Sequence, residues 1–174
     1  MRITECREDD VALLERQLPS PGTTSGHAER FARHQKGTGT LLVGWQGGLP
    51  VASCEVRWDG CPAPEVRAVH PGCPELSGFG LWPGVLRSPR TGALLLLAAE
   101  DLVRKRGLRS AGLGVEKNNP RAEALYGRLG YQLSVAYLAC WSYEDAAGMT
   151  HQVADACTFM HKVLGDTPQG VFRK

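Results

Sequence analysis

The sequence predicts an α/β protein, a mixed sheet with helices on its faces. Three observations predict it. Thr91 to Arg106 carries the strongest helix signal, and its first half is apolar all round, as in a helix laid on a sheet. Two β-rich runs, Thr40–Trp45 and Val51–Trp58, flank Gly47-Gly48 and read as a hairpin. Along the chain the elements alternate as β-α-α-β-β-β-α-β-α-β-β, an order that calls for strands in one sheet with helices packed against it. This establishes a class and not a chemistry.

Taken in order, Arg2–Cys6 predicts a short first strand. Asp9 or Asp10 is placed to cap a helix running to about Gln17, which Pro19-Ser20-Pro21-Gly22 ends. Thr23, Thr24 and Ser25 offer cap oxygens for a second helix over His27–Gln35. After the hairpin, residues 59–75 hold four of the eleven prolines and two cysteines and are expected to be loop. Leu76–Trp82 is a strand that Pro83-Gly84 stops. Gly107 ends the long helix, Ala111–Val115 is a short buried strand, and Asn119 caps a helix with Pro120 at its first position. Ala122, Leu125, Tyr126 and Leu129 give that helix one apolar stripe, closed by Gly130. Strands over Tyr131–Tyr143 and Ala154–Leu164 flank a turn at Ala146-Ala147-Gly148. Residues 1–165 are expected to form one domain and 166–174 a loose tail.

At 174 residues with 43% hydrophobic and 22% charged residues, the chain is able to bury a core of its own. A net charge of +2 gives no signal for nucleic acid. The longest apolar run, Ala93 to Ala99, falls well short of the ~20 residues that span a bilayer. With no signal-like N-terminus the reading is cytoplasmic, without membrane or nucleic-acid partners. None of the six cysteines forms a Cys-x-x-Cys motif, and they read as free thiols. Cys61, His70 and Cys73 match no zinc spacing, so no metal is expected.

Two units carry chemistry. Arg87-Ser88-Pro89-Arg90-Thr91-Gly92 follows a strand and opens the long helix. The free N–H groups of a helix start suit a phosphate, Gly92 admits close approach, and Arg87 and Arg90 could add charge; a plain connection with solvated arginines reads equally well. The second unit, Asn119-x-x-Ala122-x-x-Leu125-Tyr126 followed by Leu129-Gly130-Tyr131, reads by itself as a capped amphipathic helix.

In their order, with a short strand between them, these units resemble the core of the GCN5-related N-acetyltransferase (GNAT) superfamily. The likeness covers Leu76 to Tyr131 and extends weakly over the rest. Leu95-Leu96, Glu100 and Leu113-Gly114-Val115 also fall where the family pattern has its counterparts. There are two departures: Arg90 stands where the family loop usually has its first glycine, and the loop carries one extra residue after Pro83. The resemblance implies a mostly antiparallel sheet with a splayed strand pair, and acetyl-CoA as acyl donor without a metal. It implies that the pyrophosphate lies on the backbone of Arg87, Ser88, Arg90, Thr91, Gly92 and Ala93. The pantetheine arm would pair with the main chain of Leu81 and Trp82 and be met by Asn119. Tyr126 takes the place of the acid that protonates the departing thiolate, a role open to a phenol with a pKa of ~10; a packing role stays open.

The resemblance aligns Glu75 with a glutamate that serves as general base. It lies six positions before Leu81, on the same face of the strand if that strand is regular. A solvated loop glutamate is the other reading, and Glu55 and His27 are rival bases. The expected reaction is direct attack by a primary amine on the acetyl carbonyl, with Cys54 or Cys140 as the less favoured covalent nucleophile. The acceptor, a small-molecule or protein amine, would meet residues 9–35 and 131–164, which hold His27, His34, Trp141, Tyr143, Glu144 and Asp145. The C-terminal strands could pair two subunits as a homodimer. Alternatives are a coenzyme A-binding regulatory domain with little activity, motivated by Arg90, and a nucleotide-binding module built on the same helix start.

Overall fold

The computed structural model describes residues 1–82 and 89–165. Among these residues seven strands form one sheet: β1 (Arg2–Glu5), β2 (Gly39–Gln46), β3 (Leu49–Arg57), β4 (Glu75–Leu81), β5 (Ser110–Glu116), β6 (Gln132–Glu144) and β7 (Thr150–Val163). Their spatial order is β1-β2-β3-β4-β5-β7-β6. Every pairing is antiparallel except β4 with β5. The predicted mixed, mostly antiparallel sheet is therefore present.

Helices α1 (Glu8–Gln17) and α2 (Gly26–Gln35) cover one face. Leu14 of α1 is fully buried against Cys6, Leu41 and Val43. Helices α4 (Pro89–Lys105) and α5 (Pro120–Arg128) cover the other. There the main core gathers Cys54, Val56, Leu76, Leu95, Leu96, Leu113 and Met160, with Leu81, Ala122 and Tyr126 packed against it.

Several expectations need correction. Asp10 does not cap α1; it sits three residues into the helix and accepts from the backbone N–H of Arg7, 2.8 Å away. The expected loop over 59–75 contains a short helix, α3 (Pro64–Val69), begun by a proline in its first turn. Its Val66 packs with Cys61, Cys73 and Phe159 in a satellite core. Glu75 belongs to β4, paired with Arg57 across β3, and is not a solvated loop residue. β7 starts at Thr150, four residues before the predicted start, because its first stretch pairs with β6 alone and buries little.

One carboxylate joins the layers on the α4 side. Glu100 has no exposed surface, and it accepts from the Tyr131 hydroxyl (3.0 Å), Lys162 Nζ on β7 (2.7 Å) and Arg104 Nη2 (3.0 Å). A buried charge is tolerable only when so surrounded.

Candidate active site

The sheet opens between β4 and β5. The two strands share one register pair, Glu75 with Gly112, and then diverge. From Leu76 onward the edge of β4 facing β5 has no strand partner among the described residues. The cause is a β-bulge. β4 inserts one extra residue opposite β3 between the pairs Glu55–Ser77 and Ser53–Gly80. Gly78 supplies the positive φ, +59°, that such a bulge favours.

The bulge also revises the strand-face argument. Leu81 pairs with Ala52, which faces the α4 core, while Glu75 pairs with Arg57, five residues along a regular stretch of β3 and hence on the opposite face. Leu81 and Glu75 therefore point to opposite sides of the sheet, because the extra residue reverses the alternation.

The gap is the floor of a cleft of about 920 Å³. Its walls are β4 from Glu75 to Leu81, Gly114 to Glu116 of β5, Asn119, Ala122 and Tyr126 of α5, residues of α1, α2 and β3, and the far half of the β6–β7 hairpin. The turn end of the hairpin is tied down there: both the backbone N–H and the hydroxyl of Thr23 donate to the carbonyl of Glu144 (2.8 and 3.2 Å).

Tyr126 lines this cleft from α5, its ring 6.1 Å from that of Phe79 and 6.4 Å from that of Tyr131. Burial first, and the neighbouring Cys54 second, push its phenol above the ordinary value, so it stays protonated at neutral pH. No described residue hydrogen-bonds its hydroxyl. Asn119 caps α5 by accepting from the N–H of Ala122 at 3.1 Å and also lines the cleft. Leu81 lines it as well. The N–H of Trp82, by contrast, donates to Val51 at 2.9 Å, so that donor is taken by β3.

At the start of α4, Thr91 and Gly92 are buried, Ala93 is half-buried and Arg90 is exposed. A Cβ on Gly92 would lie 3.7 Å from Leu81 and 3.8 Å from Leu125, which places this helix start against the end of β4 and against α5. Arg87 and Ser88 lie outside the described residues.

The candidate bases separate cleanly. Glu75 is 6% exposed and lines the cleft; burial raises its carboxyl above the ordinary value, against a lowering by Arg57 and a hydrogen bond from Cys61. Glu55 is held by both arms of Arg33, Nε to Oε1 at 2.7 Å and Nη2 to Oε2 at 2.8 Å. His27 has Nε2 2.8 Å from the carbonyl of Leu18, which makes Nε2 the protonated nitrogen; Nδ1 is buried without a partner, and burial lowers the ring's pKa. Cys54 is buried, with its thiol pushed far up by desolvation, the reverse of an activated nucleophile. Cys140 is exposed on β6.

Two contributors have no counterpart in the sequence reading. Tyr137 crosses from β6 over Gly114, where the missing side chain gives it room, and reaches the Cys61–Glu75 cluster. Arg30 of α2 lies against the bulge, Nη1 3.3 Å from the carbonyl of Gly78. The isolated Gly78 inside a strand pattern was the available signal for a bulge and a close approach.

An opened strand pair with an unpartnered β4 edge, a helix start at its end and a proton-bearing phenol on the wall define the class: an α/β fold with a cleft that can take an extended ligand along one strand. The sequence matches the acetyltransferase (GNAT) family over residues 11–131, and the chain belongs to that family, whose acyl donor is acetyl-CoA. No curated protein matches it. Among solved structures, the ribosomal-protein-alanine N-acetyltransferase from Brucella melitensis is 19% identical, covering 94% of this chain and 100% of its own, with a TM-score of 0.66. An N-acetyltransferase from Staphylococcus aureus is 13% identical over 94% of this chain and 98% of its own, TM-score 0.68. A putative acetyltransferase from Salmonella typhimurium, solved with acetyl-CoA, is 18% identical over 99% of each chain, TM-score 0.65. At such identities the likeness concerns the fold.

The residues present fit acetyl-CoA. The free β4 edge offers main-chain groups to an amide-bearing arm, and the cleft has room for it. Among the described residues no group of three or more metal-ligating side chains gathers, and no helix is long and apolar enough to cross a membrane.

Proposed function

We propose that this chain transfers the acetyl group of acetyl-CoA to a primary amine by direct attack, with Tyr126 as acid and Glu75 as base. The observation that carries the reading is the bulged, one-sided edge of β4 with Tyr126 across from it. When bound, the thioester supplies an activated carbonyl and a sulfur leaving group. The unpaired β4 edge is suited to hold the arm extended, and amides at the bulge to polarise the carbonyl. Tyr126 holds its proton near the sulfur and gives it to the departing thiolate. Glu75, whose raised pKa brings it nearer to neutrality, takes a proton from the amine directly or through water. Glu55 is unsuited to that role because Arg33 occupies both its oxygens. Arg87, Ser88, Arg90, Thr91, Gly92 and Ala93 remain the proposed pyrophosphate loop, and Asn119 a contact to the arm.

The test is a pair of measurements on the Tyr126→Phe variant. Thermal-shift titration with acetyl-CoA is expected to match the wild type, while turnover falls at least tenfold. Unchanged turnover removes the acid role. A protein stabilised by ATP but not by acetyl-CoA would overturn the whole reading.

A further inference from the structure

The arginines lining the cleft are paired with carboxylates, with one exception; Glu29 and Glu116, also on its lining, are exposed and make no ion pair among the described residues. Arg33 is bidentate to Glu55. Arg57 lies 3.5 Å from Asp59 and 4.0 Å from Glu75. Asp155 accepts from Trp141 Nε1 at 2.9 Å. Arg30 has no carboxylate within ion-pair distance among the described residues, and its one hydrogen bond is the 3.3 Å contact to the Gly78 carbonyl. Its guanidinium is nevertheless half-buried and pressed on the bulge: a Cβ at Gly78 would stand 2.9 Å from Arg30 Cζ. Burial pulls its pKa below the ordinary value, against a smaller opposing effect of the more distant Glu55. A guanidinium carries five donors in a planar fork that matches a carboxylate. Most of that fork is unused, and it lines the cleft.

Position narrows the partner. Arg30 sits at the bulge of β4, just beyond the point where β4 leaves β5, and the proposed reading puts the acyl carbonyl at that bulge. An anion on Arg30 is therefore close to the attacking nitrogen, and an α-amino acid has only one carbon between the two. Facing the same cleft, Trp141 and Tyr143 form an aromatic ladder with His151, ring centroids 5.7 and 5.0 Å apart in sequence, onto which an apolar side chain could lie.

We infer that the acceptor is a free α-amino acid, its carboxylate held by Arg30 at the β4 bulge and its apolar or aromatic side chain laid along Trp141 and Tyr143. This rests on the acetyl-transfer reading above. Beyond binding, a guanidinium next to the amine disfavours its ammonium form and so assists attack.

The experiment uses the full chain with acetyl-CoA and matched acceptors: phenylalanine with phenethylamine, tryptophan with tryptamine, leucine with isoamylamine, and a peptide bearing a free N-terminal phenylalanine. Product is read by mass spectrometry. The expected result is a kcat/KM at least tenfold higher for each amino acid than for its decarboxylated partner. That ratio should fall toward one in Arg30→Gln and be partly kept in Arg30→Lys. A second readout is thermal stabilisation by phenylalanine in the presence of coenzyme A, absent with phenethylamine. Equal or better use of the amines or the peptide overturns the inference. So does a ratio unchanged in Arg30→Gln, or failure of every amino acid to react or stabilise while acetyl-CoA still binds. Absence of acetyl-CoA binding would instead overturn the acetyl-transfer reading on which it stands.

Discussion

The two walls of the cleft are built on different principles. The wall formed by the end of β4 and α5, with the start of α4 packed behind it, is small and largely apolar: Phe79, Leu81 and Ala122 line it, with Tyr126 and Asn119 as its polar groups. The opposite wall, from α2, β3 and the hairpin, is dense in charge and aromatic rings: Arg30, Arg33, Glu55, Glu75, Trp141 and Tyr143. A wall of small residues offers room and exposed backbone. A wall of charged and aromatic residues offers fixed side chains, and here several are fixed by pairing with each other, as Arg33 is by Glu55.

The largest effect expected on this contrast comes from beneath the apolar wall. Glu100→Ala leaves Lys162 and Arg104 facing an empty space and frees the hydroxyl of Tyr131, whose ring touches that of Tyr126. Chemical denaturation should show a loss of about 3 kcal/mol, the low end for a broken buried ion network because both cations are partly solvated. A loss under about 1 kcal/mol would mean that the layers are held together without this carboxylate.

Next is the pH profile of the charged wall. The raised pKa of Glu75 means that it is protonated at acid pH and becomes a base only as pH rises through that value, above the ordinary 4.5. The acid limb of kcat/KM is expected there and should vanish in Glu75→Gln. The same sign governs stability: folding disfavours the ionised form, so Glu75 costs the wild type stability progressively as pH rises from 4.5 through the folded value. A limb retained in the variant assigns the base elsewhere.

The smallest effect separates fold from ligand on the apolar wall. Gly92→Ala meets only ordinary contacts, at 3.7 and 3.8 Å, and lies inside α4. It should raise stability by roughly 0.5–1 kcal/mol through helix propensity, while acetyl-CoA affinity drops if the backbone here approaches the donor. Stability gained with affinity unchanged would place the pyrophosphate elsewhere.

The apolar wall was also the legible one. The Asn119–Tyr126 pattern, Gly92 and the leucine run all advertise themselves locally, because helix caps and stripes depend on neighbours three or four residues away. The charged wall depends on contacts remote in sequence. Arg33 meets Glu55 across 22 positions, and Tyr137 reaches Glu75 across a gap that only the missing side chain of Gly114 opens. α3 has six residues, too few for a periodic signal, and owes its place to burial of Val66. The early residues of β7 alternate between exposed and half-buried, and the half-buried side, His151, Val153 and Asp155, is mostly polar, so no apolar stripe marks them.

The extra residue in β4 has a consequence for how this protein could change over time. Because one insertion sets which side each later residue of the strand faces, shortening β4 by Gly78 would rotate Phe79 and Leu81 away from Tyr126 and turn them toward α2. Point replacements along this strand away from Gly78 leave its orientation intact, whereas the loss of a single codon would exchange the surfaces turned toward α5 and α2. Descendants of this gene should therefore vary β4 in letters but not in length.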